Sequence, residues 1–145
     1  MSANEPRQTK YDLVIFDLDG TILNTLDDLS DACNAALRKN GYPTHTRDEV
    51  RTFIGSGVAN LMRRALPEDV SDETRAKVLA DFKAHYALHA QDRTAPYPGV
   101  LEMLRALRGA GMHVAVNSNK FDEAVGGLCR KYFGDLVEFA AGELA

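Results

Sequence analysis

Leu13-Val14-Ile15-Phe16-Asp17-Leu18-Asp19-Gly20-Thr21 is the stretch that decides how this chain is read. Its first four residues are bulky and apolar, two of them β-branched, which predicts a strand buried on both faces, as in a parallel sheet. Gly20 stops it. Ligands of open α/β sheets sit just beyond the carboxyl ends of the strands, where Asp17 and Asp19 project. Two carboxylates one residue apart at a buried strand's exit are costly to hold unless a cation or a reaction occupies them. The spacing allows a division of labour in which Asp17 meets an electrophile and Asp19 reaches the leaving group from the other side. A calcium loop carries its glycine at the sixth position and follows a helix, whereas Gly20 is fourth in its motif and follows a strand. The competing reading is an ordinary Asp–Gly turn.

The chain around this stretch has 145 residues, 45% hydrophobic and 26% charged, the proportions of a soluble globular protein of one domain or two small ones. A net charge of −4 supplies no basic face for nucleic acid. No apolar run approaches the roughly 20 residues that span a bilayer. Met1 to Lys10 lacks the apolar segment of a secretion signal, so a cytoplasmic location is expected. Cys33 and Cys129, whose spacing suggests neither a metal site nor a redox pair, read as small buried hydrophobes.

Behind Thr21 the periodicity turns helical. Leu26, Leu29, Cys33, Ala36 and Leu37 form one helical face, closed by Asn40-Gly41. Thr46 and Glu49 form a capping-box pair that opens a short helix through Phe53. Val58 to Leu66 is a third amphipathic set. Ser71 opens a fourth, whose apolar side is expected from Ala76, Leu79, Ala80, Phe82, Tyr86 and Leu88. Thr94-Ala95-Pro96-Tyr97-Pro98-Gly99 is a stiff extended hinge. Beyond it come a helix over Val100 to Arg108, a strand over Met112 to Val116, a helix over Phe121 to Phe133 and a strand over Leu136 to Ala140. The organisation is an α/β core of residues 1–24 and 95–145, interrupted by an all-helical segment of residues 25–94.

Three further groups carry chemical signals. Asn117-Ser118-Asn119-Lys120 ends the second long strand with a hydroxyl and backbone N–H groups at a strand-to-helix junction, the make-up of a phosphate site. Asp122 beyond it reads as a helix N-terminal residue. Ile54-Gly55-Ser56-Gly57 is either a loop that lets backbone approach a ligand or a plain helix-joining turn, and because it follows a helix, dinucleotide binding is unsupported. Of the neighbouring Arg63 and Arg64, at least one belongs to a solvated face, and either could otherwise meet a substrate carboxylate. His85 and His89 share zinc-ligand spacing, but no third ligand and no zincin glutamate accompany them.

Asp17-Leu18-Asp19-Gly20-Thr21 resembles the first motif of the haloacid dehalogenase superfamily, and Ile22 to Leu29 is similar to its phosphoglycolate-phosphatase-like branch, with Asn24 where that branch usually carries an acid. Ser118 matches the second motif, and Ile54-Gly55-Ser56-Gly57 resembles the branch's cap loop. The resemblance runs from about Tyr11 to the last residue. It implies a Rossmann-like parallel sheet with the helical segment as a mobile cap, acting on a small phosphorylated metabolite. Asp17 is then the nucleophile that forms an aspartyl-phosphate, Asp19 the acid and base, and both are magnesium ligands. Gly20, Thr21, Ser118, Asn119 and Lys120 bind phosphate, while Gly55, Ser56 and Gly57 select the substrate. The family's third and fourth motifs, a lysine and one or two acids after a fourth strand, are not in these residues. The sheet is therefore expected to hold about three strands, with the first at an open edge, and the 145 residues alone to show little activity. An inactive phosphate-binding relative and a sugar-phosphate mutase of the same superfamily remain alternatives.

Overall fold

The computed structural model describes residues 9–144. In chain order, strand β1 (Leu13–Phe16) leads to a two-residue strand β2 (Leu23–Asn24). Four helices follow: α1 (Leu26–Lys39), α2 (Arg47–Phe53), α3 (Val58–Ala65) and α4 (Asp72–His89). A second two-residue strand, β3 (Ala95–Pro96), precedes α5 (Val100–Gly109), β4 (His113–Phe121), α6 (Asp122–Phe133) and β5 (Phe139–Glu143). β1, β4 and β5 form one parallel sheet in the order β1-β4-β5.

Local chemistry explains the helical insert. Thr46 caps α2 by accepting the Glu49 N–H, and the Glu49 carboxylate accepts the Thr46 N–H in return at 2.6 Å. Ser71 caps α4 by accepting from Thr74 N. α1 buries Leu29, Cys33, Ala36 and Leu37, the face its periodicity predicts. α4 differs from expectation: its buried residues are Val78, Phe82 and Tyr86, one strict four-residue row, and Leu88 is solvent-exposed. A helix laid along α1 presents such a row to its neighbour, and Ala76 and Ala80 fall outside it. The insert has its own apolar core, separate from the one beneath the sheet.

The sheet departs from expectation in three places. β1 is not buried on both faces: Leu13 and Ile15 are 49% and 61% exposed. The pairing sets Ile15 beside Ala115 and Ala115 beside Phe139, itself 67% exposed. α5 and α6 both contribute to the core around Val114 and Val116, on the opposite face, so this face lacks a covering helix among the described residues. β1 stands at the sheet edge, as expected. β4 does not stop at Val116 but runs through Asn117-Ser118-Asn119-Lys120, where it pairs with β5 across a register shift. The last strand begins at Phe139 rather than Leu136, because Gly134–Leu136 forms a 3-10 turn.

β2 and β3 are the element the sequence did not announce. They pair antiparallel, Leu23 opposite Pro96 and Asn24 opposite Ala95, and lace together the two connections of the helical insert. Pro96 is tolerated there because so short a ladder leaves it at an edge.

Candidate active site

The turn after β1 fixes the two acids. The Leu18 carbonyl accepts the N–H groups of Thr21, Ile22 and Leu23 at 3.1–3.2 Å, and Gly20 N–H donates to the Leu23 carbonyl at 2.9 Å. Gly20 has φ of 75°, a left-handed conformation that favours glycine. The tight turn carries Asp17 and Asp19 beyond the sheet. Asp17 is exposed, and one of its oxygens accepts the Leu18 N–H at 2.8 Å.

Asp19 is held more firmly. Its Oδ1 accepts the Thr25 hydroxyl at 2.7 Å and pairs with Lys120 Nζ at 2.9 Å. Thr25 precedes α1 in the N-cap position, yet its hydroxyl makes no cap bond to the helix and turns to Asp19 instead. A capping contribution on the order of 1 kcal/mol is thus forgone to orient a carboxylate.

Lys120 is 2% exposed. Its ammonium lies 4.5 Å from the centre of the Tyr86 ring and donates to the Tyr86 hydroxyl, so it joins β4 to α4. Burial pushes the Lys120 pKa below that of a free lysine, against the opposing pull of Asp19. Burial pushes the Tyr86 phenol up, reinforced by the Asp19 charge, so Tyr86 is a neutral donor and acceptor at ordinary pH.

A cleft forms where the carboxyl ends of β1 and β4 meet the insert. Asp17, Asp19, Ser118, Asn119 and Lys120 line it from the sheet, and Ile54, Gly55, Gly57 and Val58 face them. Its free volume is about 30 Å³, space for water rather than for an organic ligand. Two contacts seat the loop: Asn119 Nδ2 donates to the Gly55 carbonyl at 3.2 Å, and Gly57, at φ 84°, lies so close that a Cβ would stand 3.3 Å from the Asn119 carbonyl. A similar approach occurs at Gly142 of β5. There a Cβ would meet the Lys120 carbonyl and stand 2.7 Å from Asp122 Cα, while Gly142 N–H donates to Asp122 Oδ1 at 2.9 Å.

Seven of the residues singled out in the sequence therefore share one cleft: Asp17, Asp19, Gly55, Gly57, Ser118, Asn119 and Lys120. Others do not reach it. Gly20 and Thr21 commit their N–H groups to the turn, and Gly20 lines an adjoining groove instead. Thr21 and Ser56 are exposed and line neither space. Arg63 bonds Asn60 Oδ1 and Arg64 bonds the Thr52 carbonyl, both at the surface. His85 and His89 stack at 4.4 Å, and His89 pairs with Asp92.

Three residues of the neighbourhood carried no sequence signal. Thr25 looks like a cap, and Tyr86 like one more apolar position of α4. Asp28 looks like a helix N-terminal acid, yet it is 2% exposed and accepts bonds from Arg93 and Thr94, at the far end of the insert. Only the distant partners reveal their roles.

A parallel sheet presenting two carboxylates, a serine and a lysine at the exits of adjacent strands, under a helical insert, defines an α/β protein with a ligand site at the strand ends. The chain belongs to the haloacid dehalogenase-like hydrolases, whose family model matches residues 14–131. It is similar to the phosphoglycolate phosphatase of Thiobacillus denitrificans, 34% identical over 76% of this chain and 50% of the relative. The phosphoglycolate phosphatase of Vibrio parahaemolyticus is 34% identical over 90% of this chain and 62% of the relative. Among solved structures, that of a predicted phosphoglycolate phosphatase from Haemophilus somnus superposes with a TM-score of 0.87 at 29% identity, covering 93% of this chain and 64% of that one. The chain thus spans about half to two thirds of the length of these relatives.

Proposed function

We propose that the protein is a magnesium-dependent phosphatase acting on a small, phosphoglycolate-like phosphate monoester, with residues 1–24 and 95–145 as the core and residues 25–94 as a cap over it. The observation that carries this reading is the convergence of Asp17, Asp19, Ser118 and Lys120 in one cleft beneath Gly55 and Gly57. The named relatives supply the substrate class. No helix among the described residues is long and apolar enough to cross a membrane.

The residues divide the chemistry among them. The Asp17 carboxylate attacks phosphorus in line, forming an aspartyl-phosphate as the ester P–O bond breaks. Asp19, held at Oδ1 by Thr25 and Lys120, gives its proton to the departing alkoxide through its other oxygen. It then takes a proton from the water that hydrolyses the intermediate, returning Asp17 as a carboxylate and releasing phosphate. Ser118 Oγ, which accepts the Lys120 N–H at 3.1 Å, donates its own proton to a phosphoryl oxygen. Lys120 contributes charge from behind Asp19 rather than as a free point of contact.

No group of three or more His, Cys, Asp or Glu side chains gathers among the described residues. The cleft offers two carboxylates, Asp17 and Asp19, beside the oxygens of Ser118 and Asn119, a set that suits magnesium, an ion that keeps several waters and takes one or two carboxylates. The Asp17 carboxylate and the Asp19 main-chain carbonyl would hold it, and its chemistry is to screen phosphate from carboxylate. A space of about 30 Å³ requires the Asn119–Gly55 contact to open before an ester enters.

The test is phosphate release from 2-phosphoglycolate by the full-length protein. Asp17→Asn is expected to abolish turnover with an unchanged melting curve, since size and packing are kept. Substantial residual turnover would remove Asp17 from the nucleophile's role.

A further inference from the structure

Resting on the phosphatase reading, we propose that Arg51 of α2 is the specificity-determining residue that binds a carboxylate on the substrate, several atoms from its phosphoryl group.

With about 30 Å³ free, the cleft at the two acids cannot hold the body of an ester. Its wall of Asp19, Ile54 and Gly55 is shared with a second space of about 250 Å³, bounded beyond them by Gly20, Thr25, Tyr97 and Arg51. A phosphoryl group at Asp17 therefore has an adjoining room for the rest of its molecule, of a size for a small organic fragment. Among the described residues, Arg51 is the one cation in its lining.

The guanidinium is also uncommitted. Its ion partner is Asp48 at 3.5 Å, one turn away on the same helix, and both side chains are more than half exposed. Such a pair contributes little and is readily exchanged. Several other arginines of the insert are engaged: Arg47 with Asp27, Arg64 with the Thr52 carbonyl, and Arg93 with Asp31.

Arginine offers a planar fork that fits a carboxylate with two parallel hydrogen bonds. A second phosphate would bring more negative charge than one arginine beside Asp19 balances. A sugar would need hydroxyl partners, and apart from Thr25 and Tyr97 the lining beyond Asp19 is backbone and apolar, including Leu26 and Ile54. A carboxylate on a short chain is what remains. Because Arg51 sits one turn before Gly55, the loop seated on Asn119, it reaches the groove only with the cap closed.

The experiment compares two non-hydrolysable ligands by calorimetry with magnesium present: phosphonoacetate, which carries a carboxylate, and methylphosphonate, which does not. The full-length protein is expected to bind phosphonoacetate about tenfold tighter, the worth of one charge-assisted contact. In Arg51→Gln the ratio should fall close to one, and in Arg63→Gln it should stay. A ratio near one in the parent protein, a ratio kept in Arg51→Gln, or an equal fall in Arg63→Gln overturns the role of Arg51. Binding of neither ligand overturns the phosphatase reading itself, and this inference with it.

Discussion

Removing the Asp28 carboxylate should unfasten the two ends of the helical insert. Asp28 lies in the first turn of α1 and is 2% exposed. Its oxygens accept the Arg93 N–H at 3.1 and 3.0 Å, the Thr94 N–H at 2.9 Å and the Thr94 hydroxyl at 2.8 Å. Hydrogen bonds to a charged group contribute about 1.5–3 kcal/mol each, and a buried donor left without a partner adds its desolvation penalty. The Thr94 hydroxyl can rotate towards another acceptor, but its N–H cannot. Asp28→Ala is therefore expected to cost about 3–5 kcal/mol, a large share of the 5–15 kcal/mol that holds a typical domain. For a chain of this size the melting temperature should drop by roughly 10–15 °C. Asp28→Asn, which keeps one acceptor oxygen but turns an NH₂ group on the remaining donors, should cost about half as much. Urea titrations followed by circular dichroism measure both. Asp27→Ala is the control: the ion pair of Asp27 with Arg47 lies at the surface and contributes about 0–1 kcal/mol. A loss for Asp28→Ala no larger than that of the control would refute the fastening role.

Other outcomes follow from single features. Gly142→Ala places a Cβ 2.7 Å from Asp122 Cα, so it should destabilise by about 1–3 kcal/mol and shift the amide resonances of Ser118 to Lys120; an unperturbed spectrum would contradict the close approach. Lys39 and Asn40 hold the Asp81 carboxyl down to about 2. Because that folded value lies below the free one, its contribution is complete above about pH 4 and is lost as pH falls towards 2. Asp81→Asn should accordingly flatten this part of the acid-denaturation curve, and an unchanged slope would argue against the pairing. Residues 1–145 alone should self-associate through the open edge of β1 and the face carrying Leu13, Ile15 and Phe139. Ile15→Lys should reduce that association in sedimentation velocity, and a monomeric parent protein would remove the basis for it.

The parts of the fold that were legible are those written in local chemistry. The apolar run before Asp17, the capping pair Thr46 and Glu49, and the face of α1 each state their element within a few residues. β2 and β3 are too short to show any periodicity. β4 hides its second half because Asn117 to Lys120 looks polar, and only pairing with β5 reveals that Ser118 and Lys120 point inward. Asp17 and Asp19, the two acids of the candidate site, could be read because a strand end carries them. What orients them could not: Thr25 looks like a helix cap, and the Lys120–Tyr86 contact spans 34 positions. Arg63 and Arg64 drew attention by adjacency, whereas Arg51, which no motif marks, is the arginine that faces the groove.

The two-residue ladder of β2 and β3 brings the chain back to within a strand spacing of where it left, roughly 5 Å. Seen as topology, the four helices are the loop of a hairpin and the ladder is its stem. Closing a flexible loop costs free energy only as the logarithm of its length, so the stem is nearly indifferent to how much chain it carries. A tight turn or a much larger domain could hang from Asn24 and Ala95 with the same strands beneath. This makes the stem a graft point, where the helical segment can be exchanged while β1 and β4 keep their pairing, and only the contacts that cross to it, Lys120 to Tyr86 and Asn119 to Gly55, have to be rebuilt.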